Sequence, residues 1–294
     1  MGKITDEQKQ IIESFSCERL SDKQENRNLI KSFKSEKGRS LVSYLQHLAW
    51  SEDTECKTAY YLIKYPDGEV ALFFSLKCGA LFDPLDEDII KQRAKRTQEW
   101  LQIVQDMNKG GQERELALQL LENFRSGQDI PAEQIKKRIK INARQAQMIL
   151  DQLNYDKEHE ENEQIIRVGH TYPGIEIVHF CANDAMKKKW KSFNINHPMG
   201  EVMFWQYIAP IIYEVQESIG CQYAYLFAAD TSEDGNLINY YNVALKFEQP
   251  TNVGTNKPSY DLCCVFMCQE VNELRKKREE YFDNFNPDEN DIIA

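Results

Sequence analysis

The sequence has no apolar run approaching the roughly 20 residues that span a bilayer. Its first residues, Met1-Gly2-Lys3-Ile4-Thr5, also lack the apolar centre of a signal peptide. Neither membrane insertion nor export is expected, and a cytoplasmic location is. No CxxC pair exists among the eight cysteines, Cys17, Cys56, Cys78, Cys181, Cys221, Cys263, Cys264 and Cys268. Cys263 and Cys264, as neighbours in a strand, point to opposite faces, so no metal site is expected. Most of the cysteines sit inside apolar runs, the setting of buried, reduced thiols. A P-loop lysine motif is missing, as is any Ser-His-Asp or Cys-His grouping with local motif support. Basic charge is in deficit: 36 Lys and Arg stand against 47 Asp and Glu, a net charge of -11. That balance disfavours nucleic acid or an anionic membrane as the main partner.

What is present is enough chain, 294 residues with 41% hydrophobic and 11% aromatic content, for one large domain or two ordinary ones with a substantial core. After a short helical lead, residues 15–20 have strand character, and Leu29, Ile30 and Phe33 keep helical spacing. A further helix is expected over 41–50, where Leu41, Tyr44, Leu45 and Leu48 form one apolar stripe. The period then changes. Residues 59–65 and 70–76 are rich in aromatic and β-branched side chains, and Pro66-Asp67-Gly68-Glu69 between them supplies a turn, which predicts a β-hairpin.

Between about 86 and 164 the composition becomes charged and Gln-rich with helical spacing, too long a stretch for a loop. Gly110-Gly111 separates two helices, and Pro131 lies near the start of a third. The chain is therefore divided into 1–85, a helical insertion over 86–164, and 165–294. Lys136-Lys137-Arg138-Ile139-Lys140 is the kind of basic segment a helix-turn-helix carries. In so acidic a chain, a solvated basic helix face is the favoured reading.

Strand character returns over 175–182. A loop bearing Lys187, Lys188, Lys189, Trp190 and Lys191 then leads through His197-Pro198-Met199-Gly200 into a helix over 201–218 that ends at Gly220. A strand over 223–229, a short helix over 236–244 with paired Tyr240 and Tyr241, a strand over 260–267 and a charged helix follow. A helix crossing between two parallel strands begins at the sheet edge, where its free N–H groups can hold an anion.

In this order of elements the chain resembles the GNAT superfamily of acyl-CoA-dependent N-acyltransferases. The likeness rests on 175–182 as the fourth strand, 200–219 as the cofactor helix, 220–226 as the fifth strand, and Asn239-Tyr240-Tyr241 at the position of the Phe-Tyr helix motif. It implies an α/β fold with a GNAT-like mixed central sheet flanked by helices and interrupted by the helical insertion. It also implies acetyl-CoA as cosubstrate and direct attack by an amine acceptor. On that alignment Met199, Gly200 and Glu201, with Lys189 and Trp190, are the cofactor-binding residues, Tyr241 is the general acid toward the CoA thiolate, and Glu176 is the carboxylate base on the fourth strand.

His179 is the other candidate base. Three residues apart on a strand, Glu176 and His179 are expected on opposite faces. The chain departs from the family pattern at Ile195, where an Arg or Gln is usual, at Pro198, which has no N–H, and at Lys246-Phe247, where Gly-Phe is usual. These departures motivate an alternative, a catalytically degenerate GNAT-like binding or regulatory module that no longer binds CoA. In either case the insertion is a candidate contact for a protein partner.

Overall fold

The computed structural model describes residues 5–83, 170–230, 232–256 and 264–283. The predicted helical insertion and the first part of the strand expected over 260–267 lie outside them. The chain divides into two compact units. One comprises Met1–Leu81, Tyr172–Thr251 and Thr255–Ala294, and the other Phe82–Thr171 with Asn252–Gly254. In the second, the described backbone of Phe82 and Gly254 is paired by two hydrogen bonds of 2.8 Å.

The first unit is built as follows. Helix α1 (Asp6–Glu13) is started by reciprocal bonds between Thr5 and Gln8, each side chain accepting the other's backbone N–H. Next come β1 (Ser16–Arg19), α2 (Asn26–Leu29), α3 (Arg39–His47), α4 (Ala49–Thr54), β2 (Ala59–Lys64), β3 (Val70–Phe82) and β4 (Thr171–Ala182). After β4 the chain forms α5 (Lys187–Lys191), α6 (Met199–Met203), a π-helical turn (Phe204–Ile208) and α7 (Ala209–Ile219). The remainder is β5 (Tyr223–Ala228), α8 (Asn236–Val243), β6 (Val265–Glu270) and α9 (Val271–Asp283). The single helix expected over 41–50 is thus two, broken at Leu48, and the lysine segment expected as loop is α5.

The strands lie in chain order in one six-stranded sheet. β1, β2 and β3 pair antiparallel, as do β5 and β6, whereas β4 and β5 are parallel. The N–H of Asn183, just past β4, donates to the carbonyl of Ala71 at the start of β3, which runs β3 and β4 antiparallel. This is the mixed sheet flanked by helices that the sequence predicts.

On one face Leu72, Phe74, Ile175, Ile177, Ala224 and Leu226 pack against the helical run 199–219 and α1. On the other, Tyr60, Leu62 and Phe73 pack against Ile30, Phe33, Leu45 and Ala49. A fully buried side chain of this size contributes about 1.5–3 kcal/mol, against 0–1 kcal/mol for an exposed ion pair, so apolar registration decides which face each helix covers. Polar groups pin the β1 edge. Asp53, wholly buried, accepts from Arg19 at 2.7 Å and from the N–H groups of Ser21 and Tyr60 at 2.8 Å each.

β4 does not alternate regularly. Ile175 and Ile177 face the 199–219 run, and strict alternation would turn Phe180 and Ala182 away from it. Both nevertheless pack against that same cluster, while Cys181 belongs to the α3 side. One extra residue between Ile177 and Phe180, a β-bulge, resets the pattern. Consequently Glu176 and His179 share a face, which corrects the expectation that they oppose each other. The cysteine expectation also needs correction at two positions, since Cys56 and Cys78 are exposed.

Candidate functional site

β4 and β5 pair only from Gly174 opposite Tyr223 to Ile177 opposite Leu226. Both strands continue, to Ala182 and Ala228, without another pair, so the sheet parts at the bulge. The start of α6 sits against this parted half. A Cβ built on Gly200 would lie 3.3 Å from the ring of Phe180 on β4 and 2.9 Å from the hydroxyl of Tyr240 on α8. Only a glycine lets three elements approach so closely.

Pro198 precedes α6 in extended conformation and no side chain caps the helix. The amides of Met199, Gly200 and Glu201 belong to the first turn, which has no intrahelical acceptors. Several contacts fix this start. The Trp190 indole donates to the His197 carbonyl at 2.9 Å, and the Tyr65 hydroxyl meets Met199 Sδ at 3.4 Å. Ile195, buried in the core, offers no polar group.

Of the residues assigned from sequence to the cofactor, Met199, Gly200 and Glu201 are therefore together at the helix start. Trp190 is a core residue, edge-on to Phe15 and Phe193. Lys189 lies over the Tyr65 ring, and its ammonium is shared between Asp67 and Glu69 of the β2–β3 turn. Lys187 pairs with Asp184 at 3.0 Å. Lys188 and Lys191 are exposed and form no ion pair among the described residues, so they are the lysines of this segment with charge to spare for a phosphate.

Tyr240 and Tyr241 pack into the core from α8. Neither hydroxyl is hydrogen-bonded among the described residues. Burial, then Glu201 and Tyr241, hold the Tyr240 phenol well above its ordinary pKa, and burial, then Cys181, raise that of Tyr241. Both are protonated at neutral pH and thus proton donors. The helix that presents them is held by Asp230, which accepts from Leu237 and Ile238 N–H at 2.7 and 3.0 Å. Bonds from Ser232 and then from these amides lower the Asp230 pKa to about 2. The sequence signal for this cap is an Asp followed by Ser and Gly just before a helix.

Glu176 lies in the paired half of β4, where it accepts from the Tyr225 hydroxyl at 3.5 Å. His179 lies in the parted half, its Nδ1 2.7 Å from Ser75 Oγ.

Glu201, mostly buried, faces its own helix start with His197 Nδ1 at 3.2 Å. Helix α9 closes over this end. Tyr281 stacks on Trp205 at 5.6 Å and meets His197 edge-on, and Arg278 donates to the Trp205 carbonyl at 2.6 Å. That carbonyl belongs to the π-helical turn, where irregular bonding leaves an acceptor to be satisfied. The sequence predicts α9 as a charged helix without its contacts, because nothing in its pattern reveals a π turn elsewhere.

No protein-family model matches the chain, and no curated protein does. Solved structures similar to it include a bacterial toxin, at 9% identity and TM-score 0.45, covering 90% of this chain and 95% of that one. A tyrosine-to-phenylalanine mutant of KacT is similar at 8% identity and TM-score 0.43, covering 90% and 99%. AtaT complexed with acetyl-methionyl-tRNAfMet is similar at 10% identity and TM-score 0.42, covering 90% and 98%.

Proposed function

We propose that the chain is an acyl-CoA-dependent N-acyltransferase. The observation that carries this is the parting of β4 from β5 beyond Ile177 and Leu226, with an uncapped helix start at Met199–Gly200 and the Tyr241 helix on its borders. The amides of Met199, Gly200 and Glu201 suit a diphosphate, since an anion at a helix start gains from both the free N–H groups and the macrodipole. Lys188 and Lys191 add charge, while Lys189 and Trp190 position the segment that leads into the helix. When bound, acetyl-CoA supplies a thioester carbonyl to the attacking amine. Tyr241 keeps its proton until a thiolate develops and then donates it. Glu176, which accepts from the Tyr225 hydroxyl, is the fourth-strand carboxylate in the role of base toward the acceptor amine.

Calorimetric titration of acetyl-CoA into the full chain tests the reading. Saturable binding at one site, weakened at least tenfold by Gly200→Glu, is expected; no heat and no thermal shift would exclude it.

A second reading, a binding module without acyl-CoA, is favoured by Glu201. It places a carboxylate in the first turn, 3.2 Å from His197 Nδ1, and Pro198 provides no amide there. In that case Glu201→Gln would leave the chain as unresponsive to acetyl-CoA as the wild type.

A further inference from the structure

Pro210 stands within the helical run 199–219 and has no N–H to give. In a regular α-helix the Trp205 carbonyl would accept from the amide of Ala209. Here that amide bonds to the carbonyl of Phe204, five residues back, and so closes the π turn. The next residue along that could serve Trp205 is Pro210, so the helix itself leaves this carbonyl without a donor. Arg278 of α9 supplies one at 2.6 Å.

Val202, Met203, Phe204 and Trp205 are all buried, although four successive residues spread over about 300° of an α-helix surface. The run therefore needs cover on more than one side, and Trp205 meets two other helices. Its ring stacks on Tyr281 of α9 at 5.6 Å, and its indole N–H donates at 3.0 Å to the carbonyl of Ala244, the residue that ends α8. Phe204, beside it, lies edge-on to Phe247 at 5.9 Å. The N–H of Phe247 donates to the carbonyl of Tyr241 itself at 2.9 Å. Two adjacent side chains of the π turn therefore reach the last turn of α8, one at Ala244 and one through the residue bonded to Tyr241. The other end of α8 is the one that Asp230 caps.

We infer, resting on the acyl-transfer reading, that Trp205 is a positioning residue for Tyr241: the π turn that Pro210 favours and Arg278 holds aims the indole at the end of α8 and sets where the Tyr241 hydroxyl stands. Without the extra residue of the turn, the segment before it would be rotated by about 100° relative to α7, and the indole would miss Ala244. Arg278 acts one step further back, by satisfying the carbonyl that the turn leaves open. Helix α9 thereby bears on the proton donor without contributing a residue to it.

The first test needs no ligand. Hydrogen exchange of the full chain follows the Trp205 indole N–H, assigned by its loss in Trp205→Phe, together with the α8 amides. Arg278→Ala should speed both at least tenfold beyond any change in the β2 and β3 amides, which report global unfolding. Acceleration that is equal in α8 and in the hairpin, or absent from α8, overturns the inference. The second test is release of CoA from acetyl-CoA with water as the acceptor. Trp205→Phe keeps a ring against Tyr281 but removes the bond to Ala244. It should lower kcat at least fivefold with KM and acetyl-CoA affinity unchanged, the pattern of a group that acts only in the transition state. An unchanged kcat, a loss carried by KM alone, or a wild type that binds acetyl-CoA yet releases CoA no faster than buffer overturns the inference. Failure of the wild type to bind acetyl-CoA would instead remove the acyl-transfer reading, while the exchange experiment still decides whether the π turn holds α8.

Discussion

The Tyr240 hydroxyl lies 2.9 Å from the point a Cβ on Gly200 would occupy, so the start of helix α6 and the tyrosine-bearing helix α8 meet at a position reserved for glycine. A methyl group there must push Tyr240 or Phe180 aside. Gly200→Ala is expected to destabilise the chain by about 1–3 kcal/mol, the usual cost of overpacking. Adding Tyr240→Phe, which removes the clashing oxygen, should recover part of that loss. Urea unfolding of the two single variants and the double variant gives the coupling.

Lys246 has φ 63°, in the left-handed region, between buried Leu245 and Phe247. A non-glycine residue there costs on the order of 1 kcal/mol. Lys246→Gly should therefore raise the unfolding free energy by about 1 kcal/mol, visible as a higher denaturation midpoint with unchanged slope.

Arg278→Ala should cost about 1.5–3 kcal/mol, because it strands the Trp205 carbonyl in the π turn and removes a charged donor from it. Thermal unfolding compared with the exposed control Lys276→Ala checks this. Among the described residues Lys276 pairs with exposed Glu273, and its loss should be within about 0.5 kcal/mol.

Acid sensitivity should come in two steps. His179 titrates near 6.5 when unfolded and at about 4 when folded, chiefly through burial, so the unfolded chain binds more protons between these values. Stability from this group is complete above pH 6.5 and falls as pH drops toward 4, by up to about 3 kcal/mol. Glu18 behaves differently. Burial would raise its pKa, but bonds from Lys23, Lys64 and Asn26 override it and lower the value to about 2. Its contribution is present above pH 4.5 and is lost between 4.5 and 2. Unfolding of the wild type from pH 7.5 to 4.5 should show the first step, and His179→Gln should flatten it.

The elements that face a core were legible in the sequence because burial enforces periodicity. The hairpin, the helical run 199–219, β5 and α8 follow from apolar content together with turn and terminator residues such as Pro66-Asp67-Gly68-Glu69 and Gly220. What spacing cannot show is a broken period. The bulge in β4 puts Glu176 and His179 on one face, and nothing in Ile175-Glu176-Ile177-Val178-His179-Phe180 marks the extra residue. Lysine and tryptophan side chains were misleading for a related reason. A cationic run suggests a phosphate partner, yet Lys189 is held by Asp67 and Glu69, more than a hundred residues away, and Trp190 fills the core. Lys246, by contrast, adopts a positive φ of 63°, the conformation that favours glycine, which apolar spacing does not reveal.

On the acyl-transfer proposal, the parted edge of the sheet receives an acyl-CoA at the start of α6. A crystal of the full chain soaked with acetyl-CoA tests it most directly. Diphosphate density is expected within hydrogen-bonding distance of the Met199, Gly200 and Glu201 amides, with the sulfur near the Tyr241 hydroxyl. A helix start where the Glu201 carboxylate keeps its place, and no density appears under saturating ligand, would contradict it.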